Sequence, residues 1–150
     1  MLNPAGLVEA LRGSVETPVL KTEGPVSEDR PSTILVVDDS ITTRTIEKSI
    51  LETHGYRVLV AVDGVEALDR LRSEGVDLVV ADLQMPRMDG FALLGEMKRD
   101  PRLARVPVVV VTSLERSEDR ERGLALGADA YIVKRKFDQQ ELLEAIEQML

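Results

Sequence analysis

The run Val79-Val80-Ala81 ends on one carboxylate, Asp82, and the turn Leu83-Gln84-Met85-Pro86-Arg87-Met88-Asp89-Gly90 follows it. An uninterrupted apolar run of strand length is buried on both faces, as strands of a parallel sheet are. A helical pattern begins at Phe91, so the unit reads strand, loop, helix. In an open parallel sheet the ligand edge lies at the strand C-termini, and Asp82 stands there. Ile34-Leu35-Val36-Val37 repeats the plan and ends on Asp38 and Asp39; later runs end on Thr112 and Lys134. Five polar side chains are thus expected along one edge.

The rest of the chain supplies the crossovers. Ser40 is placed to cap a helix reaching about Thr53, with Ile46 and Ile50 one turn apart, and Gly55 stands where a left-handed C-terminal residue belongs. A second strand is expected over 58–62. Asp63 and Glu66 form a capping-box pair for a helix with the stripe Val65, Leu68 and Leu71, which Gly75 ends. The third strand covers 77–81. Its helix carries Phe91, Leu94 and Met97 and stops before Asp100-Pro101. Pro107 opens the fourth strand, Val108-Val109-Val110-Val111. The fourth helix, roughly 116–126, is almost wholly polar, with Gly123 inside, so it is held loosely to the core. Gly127 closes it, 130–133 is the fifth strand, and the last helix, 138–150, shows Leu142, Ile146, Met149 and Leu150 on one face. Five strands alternating with five helices make a parallel sheet covered on both sides.

Residues 1–31 differ in kind. Pro4 to Leu11 suits a short helix, whereas Thr17-Pro18, Gly24-Pro25 and Arg30-Pro31 among charges read as an extended linker or tail without a core of its own. The domain proper is residues 32–150, and its length suffices for a substantial core.

Composition removes several function classes. Without cysteine there are no disulfides or thiolate metal sites, and the single His54, near a helix C-terminus, leaves no imidazole set for zinc. A net charge of −8 argues against a nucleic-acid surface. No run is long enough to cross a bilayer and no signal peptide opens the chain, which fits a cytoplasmic protein without membrane insertion. The metal chemistry left is a hard cation held by carboxylates.

Each of the five edge residues has an ordinary alternative. Acids ahead of a helix are favoured by its dipole, Lys134 has basic neighbours in Arg135 and Lys136, and Thr112 could merely start a loop. Three carboxylates on adjacent strand ends, however, repel one another at neutral pH, and a divalent cation relieves that. Lys134 could balance the acids or hold a phosphoryl oxygen, and the Thr112 hydroxyl could donate to one.

With Asp38-Asp39, Asp82, Met85-Pro86, Asp89-Gly90, Thr112, Tyr131 and Lys134 in this order, residues 32–150 resemble the receiver domain of bacterial response regulators. The resemblance implies a flavodoxin-like sheet of order 2-1-3-4-5. It implies that Asp82 takes a phosphoryl group from the phosphohistidine of a histidine kinase or phosphotransfer domain. It also implies self-phosphorylation from small donors and autodephosphorylation. Mg²⁺, or Mn²⁺ in its place, would sit on Asp39, Asp82 and the Gln84 backbone carbonyl, and on Asp38 through water. Lys134 would balance the phosphoryl charge, and Thr112 and Tyr131 would switch the face of helix four, strand five and helix five.

Two stretches, Asp38-Asp39-Ser40-Ile41-Thr42-Thr43-Arg44 and Lys134-Arg135-Lys136-Phe137-Asp138-Gln139, are similar to receivers at the C-terminus of CheA-class hybrid chemotaxis histidine kinases. Leu2-Asn3-Pro4-Ala5 is similar to the end of the CheW-like module preceding them. Arg135 stands where most receivers have proline. The alternatives are a stand-alone regulator and a flavin-binding carrier of the same fold. The paired acids would repel a flavin phosphate, and 3% aromatic content leaves little to stack on its ring. A haloacid-dehalogenase-type phosphatase would need its two acids spaced two apart, where Asp38 and Asp39 are adjacent.

Overall fold

The structure, a computed structural model, describes residues 30–150; the short helix and linker expected before residue 30 lie outside them. A compact unit, Ser32–Leu150, alternates β1 (Thr33–Val37), α1 (Ile41–Thr53), β2 (Arg57–Ala61), α2 (Gly64–Ser73), β3 (Leu78–Ala81), α3 (Gly90–Arg99), β4 (Val108–Thr112), α4 (Ser117–Ala125), β5 (Ala130–Val133), a 3₁₀ turn (Lys134–Lys136) and α5 (Gln139–Met149). All strand pairs are parallel, in the order β2-β1-β3-β4-β5. This is the flavodoxin-like sheet of order 2-1-3-4-5. The order reverses beside β1, so β1 and β3 are neighbours with Val37 opposite Ala81. That register sets Asp38 and Asp82 side by side, and Asp82 N–H donates to the Val37 carbonyl at 2.9 Å.

Every residue of β1, β3 and β4 is buried, because alternate side chains feed two cores. One, on the side of α2 and α3, contains Leu35, Val79, Leu94 and Met97; the other, under α1 and α5, contains Ile34, Val80, Leu51 and Ile146. Gly55 and Gly127 both have positive φ, +91° and +114°, as expected of residues that end helices.

Five expectations shift. β2 runs one residue earlier than 58–62, leaving Val62 exposed, and β3 begins at Leu78, because the Asp77 carboxylate instead accepts from Thr33 N–H at 2.7 Å. On α2 the buried face is Gly64, Ala67, Leu68 and Leu71, and Val65 is 43% exposed. On α1 it is Glu47 and Leu51; Ile50 packs in part and Ile46 faces out. On α5 Leu142, Leu143 and Ile146 are buried while Leu150 is exposed. On α2 the small Gly64 and Ala67, and on α1 the acid Glu47, let a neighbouring stripe approach the sheet.

Candidate functional site

Asp38 follows β1 and is 1% exposed; Asp82 follows β3 and is 5% exposed. Neither drifts in its loop. Asp38 Oδ1 accepts from Ser40 N–H at 2.8 Å, while Asp82 Oδ1 accepts from Leu83 and Gln84 N–H at 2.6 and 3.2 Å. Ser40 caps α1 through Thr43 N–H, and Arg44 from the next turn donates to the Asp38 carbonyl at 2.7 Å. Asp39 is exposed, yet it offers an oxygen that lies with one from Asp38 and one from Asp82 inside 4.8 Å of one another.

Lys134 comes from the other end of the sheet. β5 delivers it past β4, and its Nζ lies 2.9 Å from both Asp38 Oδ2 and Asp82 Oδ2. Burial pushes the Lys134 pKa down, but the carboxylates of Asp38 and Asp82 outweigh that and leave it raised. Burial raises Asp38, over the opposing effects of Lys134 and Ser40. The Asp38 Oδ2 contact is an ion pair by distance without hydrogen-bond alignment, so this buried oxygen lacks an aligned donor. With the three acids ionised, one ammonium leaves an excess of two negative charges. An all-oxygen donor set carrying that excess fits one hard divalent cation.

The remaining expected residues fall into two groups. Thr112 ends β4, fully buried, opposite Val133 in register, and its Oγ1 accepts from Leu114 N–H at 3.4 Å. Gln84 lies on the exposed loop just after Asp82. Tyr131 sits on β5, away from the acids. Its ring is already buried, its hydroxyl donates to the Leu114 carbonyl at 2.8 Å, and Arg120 lies over the ring face. The same β4–α4 loop therefore bonds both Thr112 and Tyr131. Arg135, standing in place of proline, opens the 3₁₀ turn's second position and reaches Glu115 at 2.8 Å.

Sequence reasoning missed Glu47. It is 2% exposed on α1, its Oε2 has no hydrogen-bond partner, and it lines a cleft of about 170 Å³ with Thr43, Ile46, Val111, Lys134 and Phe137. Burial, then the Asp38 carboxylate, push its pKa up to about 8, so it is neutral beside the acids at neutral pH. The available signal was position: Glu47 is one turn from Leu51 on the face that packs on the sheet.

A buried carboxylate held on one oxygen by backbone N–H groups, with an ammonium on the other and further acids beside it, is a nucleophile suited to a highly charged electrophile such as a phosphoryl group. Among known proteins, the family described as response regulator receiver domain matches residues 34–147. A gliding motility regulatory protein of Myxococcus xanthus is 40% identical over 116 residues, 77% of this chain. The match spans only 15% of that longer protein. The solved receiver domain of a signal transduction histidine kinase from Syntrophus aciditrophicus superposes with a TM-score of 0.74 at 36% identity, covering 79% of this chain and 89% of that one. A sensor histidine kinase receiver from Pseudomonas aeruginosa, solved with magnesium coordinated in its active-site cleft, has a TM-score of 0.73 at 28% identity, covering 79% of this chain and 97% of that one. No helix among the described residues is long and apolar enough to cross a membrane. The chain belongs to the response regulator receiver domain family and is a receiver of two-component signal transduction.

Proposed function

We propose that Asp82 is the phospho-acceptor and that the chain serves as the receiver of a chemotaxis-type hybrid histidine kinase. One observation carries the first part: the Lys134 ammonium bridges Asp82 and Asp38, with Asp39 completing the three-carboxylate group. An Asp82 oxygen attacks phosphorus, the new P–O bond forms as the P–N bond to the partner's histidine breaks, and the electron pair leaves on that nitrogen. Asp38, Asp39, Asp82 and the Gln84 backbone carbonyl are the oxygens that would hold Mg²⁺ or Mn²⁺. Such an ion, when bound, supplies neutralising charge to the transferring oxygens.

Lys134 then exchanges its Asp82 oxygen for a phosphoryl oxygen, and Thr112 donates its hydroxyl to another. Because Thr112 and Tyr131 share the Leu114 segment, movement of Thr112 reaches Tyr131 and the α4–β5–α5 face. Tyr131 is buried with its hydroxyl on the Leu114 carbonyl, so it follows that movement. Water attack on phosphorus forms a new P–O bond as the bond to the Asp82 oxygen breaks, which releases inorganic phosphate, returns the Asp82 carboxylate and gives the domain a dephosphorylation of its own.

The hybrid context rests on the motifs at Asp38–Arg44 and Lys134–Gln139 and on the likeness to receivers of histidine kinases. In that reading residues 1–31 connect the receiver, residues 32–150, to a CheW-like module, the kinase's phosphohistidine or phosphotransfer domain is the donor, and the site works in the cytoplasm. A stand-alone regulator is the second reading, and the full reading frame separates the two. The deciding experiment for the site is labelling with acetyl phosphate and Mg²⁺. Asp82→Asn should abolish labelling while circular dichroism stays unchanged; label at the wild-type level on the variant would overturn Asp82 as acceptor.

A further inference from the structure

The loop that follows Asp82 is held at more points than a turn of its length requires. Gly90 N–H donates to the Leu83 carbonyl at 3.0 Å and closes the loop on itself. Met88 N–H donates to the Pro86 carbonyl at 2.7 Å, a γ-turn centred on Arg87. Arg87 has φ +63°, and it is the one non-glycine residue with positive φ among the described residues. A side chain in that region costs about 1–2 kcal/mol over the right-handed alternative. Glycine or asparagine would adopt it more readily, so this position has a reason to carry a long cation.

The reason lies across the gap, on the β2–α2 loop. Asp63, 1% exposed, uses its two oxygens differently. Oδ1 accepts from Glu66 N–H at 2.9 Å and caps α2; Oδ2 accepts from Arg87 Nε at 2.6 Å and ion-pairs with the same guanidinium. Next to it Gly64 N–H donates to the Met88 carbonyl at 2.9 Å. A β-carbon on Gly64 would meet Met88 Cβ at 2.9 Å, and one on Gly90 would meet the Asp82 carbonyl oxygen at 2.3 Å. The acceptor loop is thus pressed between two glycines and pinned from outside by one buried carboxylate.

We propose that the Asp63–Arg87 pair is a positioning latch that holds the loop after Asp82 in this strained turn and thereby fixes the Asp82 carboxylate and the Gln84 backbone for phosphoryl transfer. The inference rests on Asp82 being the acceptor. Neither latch residue touches the reacting atoms. Both act through the loop, and small misplacements of a reacting group are costly: a shift near 1 Å removes up to about a hundredfold in rate.

Two variants separate the latch from ordinary structure. Asp63→Asn keeps an N-cap, since Asn caps as well as Asp, and removes the charge. Arg87→Gly removes the cation and also the φ strain, so the protein should be no less stable. Each should slow acetyl-phosphate labelling by roughly tenfold or more and weaken Mn²⁺ affinity measured by calorimetry, with melting temperature nearly unchanged. The double variant should be no slower than the slower single one, because both remove the same link. Arg87→Lys should recover part of the rate.

Wild-type labelling and Mn²⁺ affinity in both single variants would overturn the latch. So would losses that multiply in the double variant, or losses that only track a fallen melting temperature. Asp82→Asn in the same assay keeps the two readings apart. If that control labels like wild type, the acceptor assignment fails; if it is silent while the latch variants label normally, only the latch fails.

Discussion

Helices α3 and α4 are neighbours of similar length, ten and nine residues, attached to the molecule in opposite ways. α3 is capped by Asp89, whose side chain accepts from Ala92 N–H at 2.8 Å, and it buries Gly90, Phe91, Leu93, Leu94 and Met97. α4 has no side-chain cap and buries only Gly123. Two arginines do the fastening instead: Arg122 lies 4.0 Å from the centre of the Phe91 ring and Arg120 lies 5.6 Å from that of Tyr131. Contacts of that kind are worth on the order of 0.5–2 kcal/mol each. The helix after the acid cluster is therefore tied down by a core, and its neighbour by side chains that can let go. A site that must hold its carboxylates in register needs the first arrangement. A surface that must report on that site needs the second, because elements with few buried apolar contacts open at low free-energy cost.

The largest test of the contrast is truncation in each helix. Leu94→Ala should cost about 2–5 kcal/mol, the range for a buried leucine, measured by urea denaturation with an unchanged slope. Leu124→Ala, 41% exposed in the wild type, should stay within about 0.5 kcal/mol. Comparable losses from both would show that α4 is packed as firmly as α3 and would remove the basis for assigning it the moving face.

A second test concerns α1, where a buried acid takes the place of a core residue. Glu47 releases its proton near 4.5 in the unfolded chain and near 8 in the folded one. Between those values the unfolded state binds fewer protons, so stability is full below about pH 4.5 and falls as pH rises toward 8. The slope approaches about 1.4 kcal/mol per pH unit between those values. Glu47→Gln removes this slope, so the variant should gain on the wild type steadily from pH 6 to 8 in thermal melts. Parallel stability–pH curves for the two proteins would mean that Glu47 is ionised in the fold.

How much of this was legible beforehand follows from the range of the interactions. The continuous apolar runs gave the strands, because burial on both faces leaves no alternating pattern to misread; the strand order, and with it the reversal point, came from the resemblance to receiver domains. Ser40, Asp63 and Asp89 declare helix starts through bonds spanning three residues. That Asp38, Asp82 and Lys134 share one edge follows from a parallel sheet, whose strand C-termini lie on the same side, while the order that brings Asp38 beside Asp82 came from the resemblance. What stayed hidden was settled by packing or by distant partners. Val65 looked like core until Gly64 and Ala67 allowed a closer approach on the adjacent stripe, and Glu47 looked like surface because its letter is polar. The Asp63–Arg87 pair joins loops 24 residues apart, and neither loop's own sequence announces the other.

The smallest expected effect sharpens the comparison most, because it asks whether the looseness of α4 is built in. Glycine inside a helix costs roughly 1 kcal/mol relative to alanine, and Gly123 is the one residue α4 buries. A β-carbon there would lie 3.4 Å from Tyr131 Cε2 and 3.5 Å from Cδ2, which is contact without overlap. Gly123→Ala should therefore add up to about 1 kcal/mol and raise the melting temperature by a few degrees. Amide exchange should slow within Ser117–Ala125 and hardly change in α3. With α4 stiffened and pressed on the tyrosine ring, phosphorylation should alter exchange on this face less than in the wild type. A lower melting temperature would show instead that the ring needs the gap glycine leaves, and that α4 is held by its fit to Tyr131 more than by its arginines.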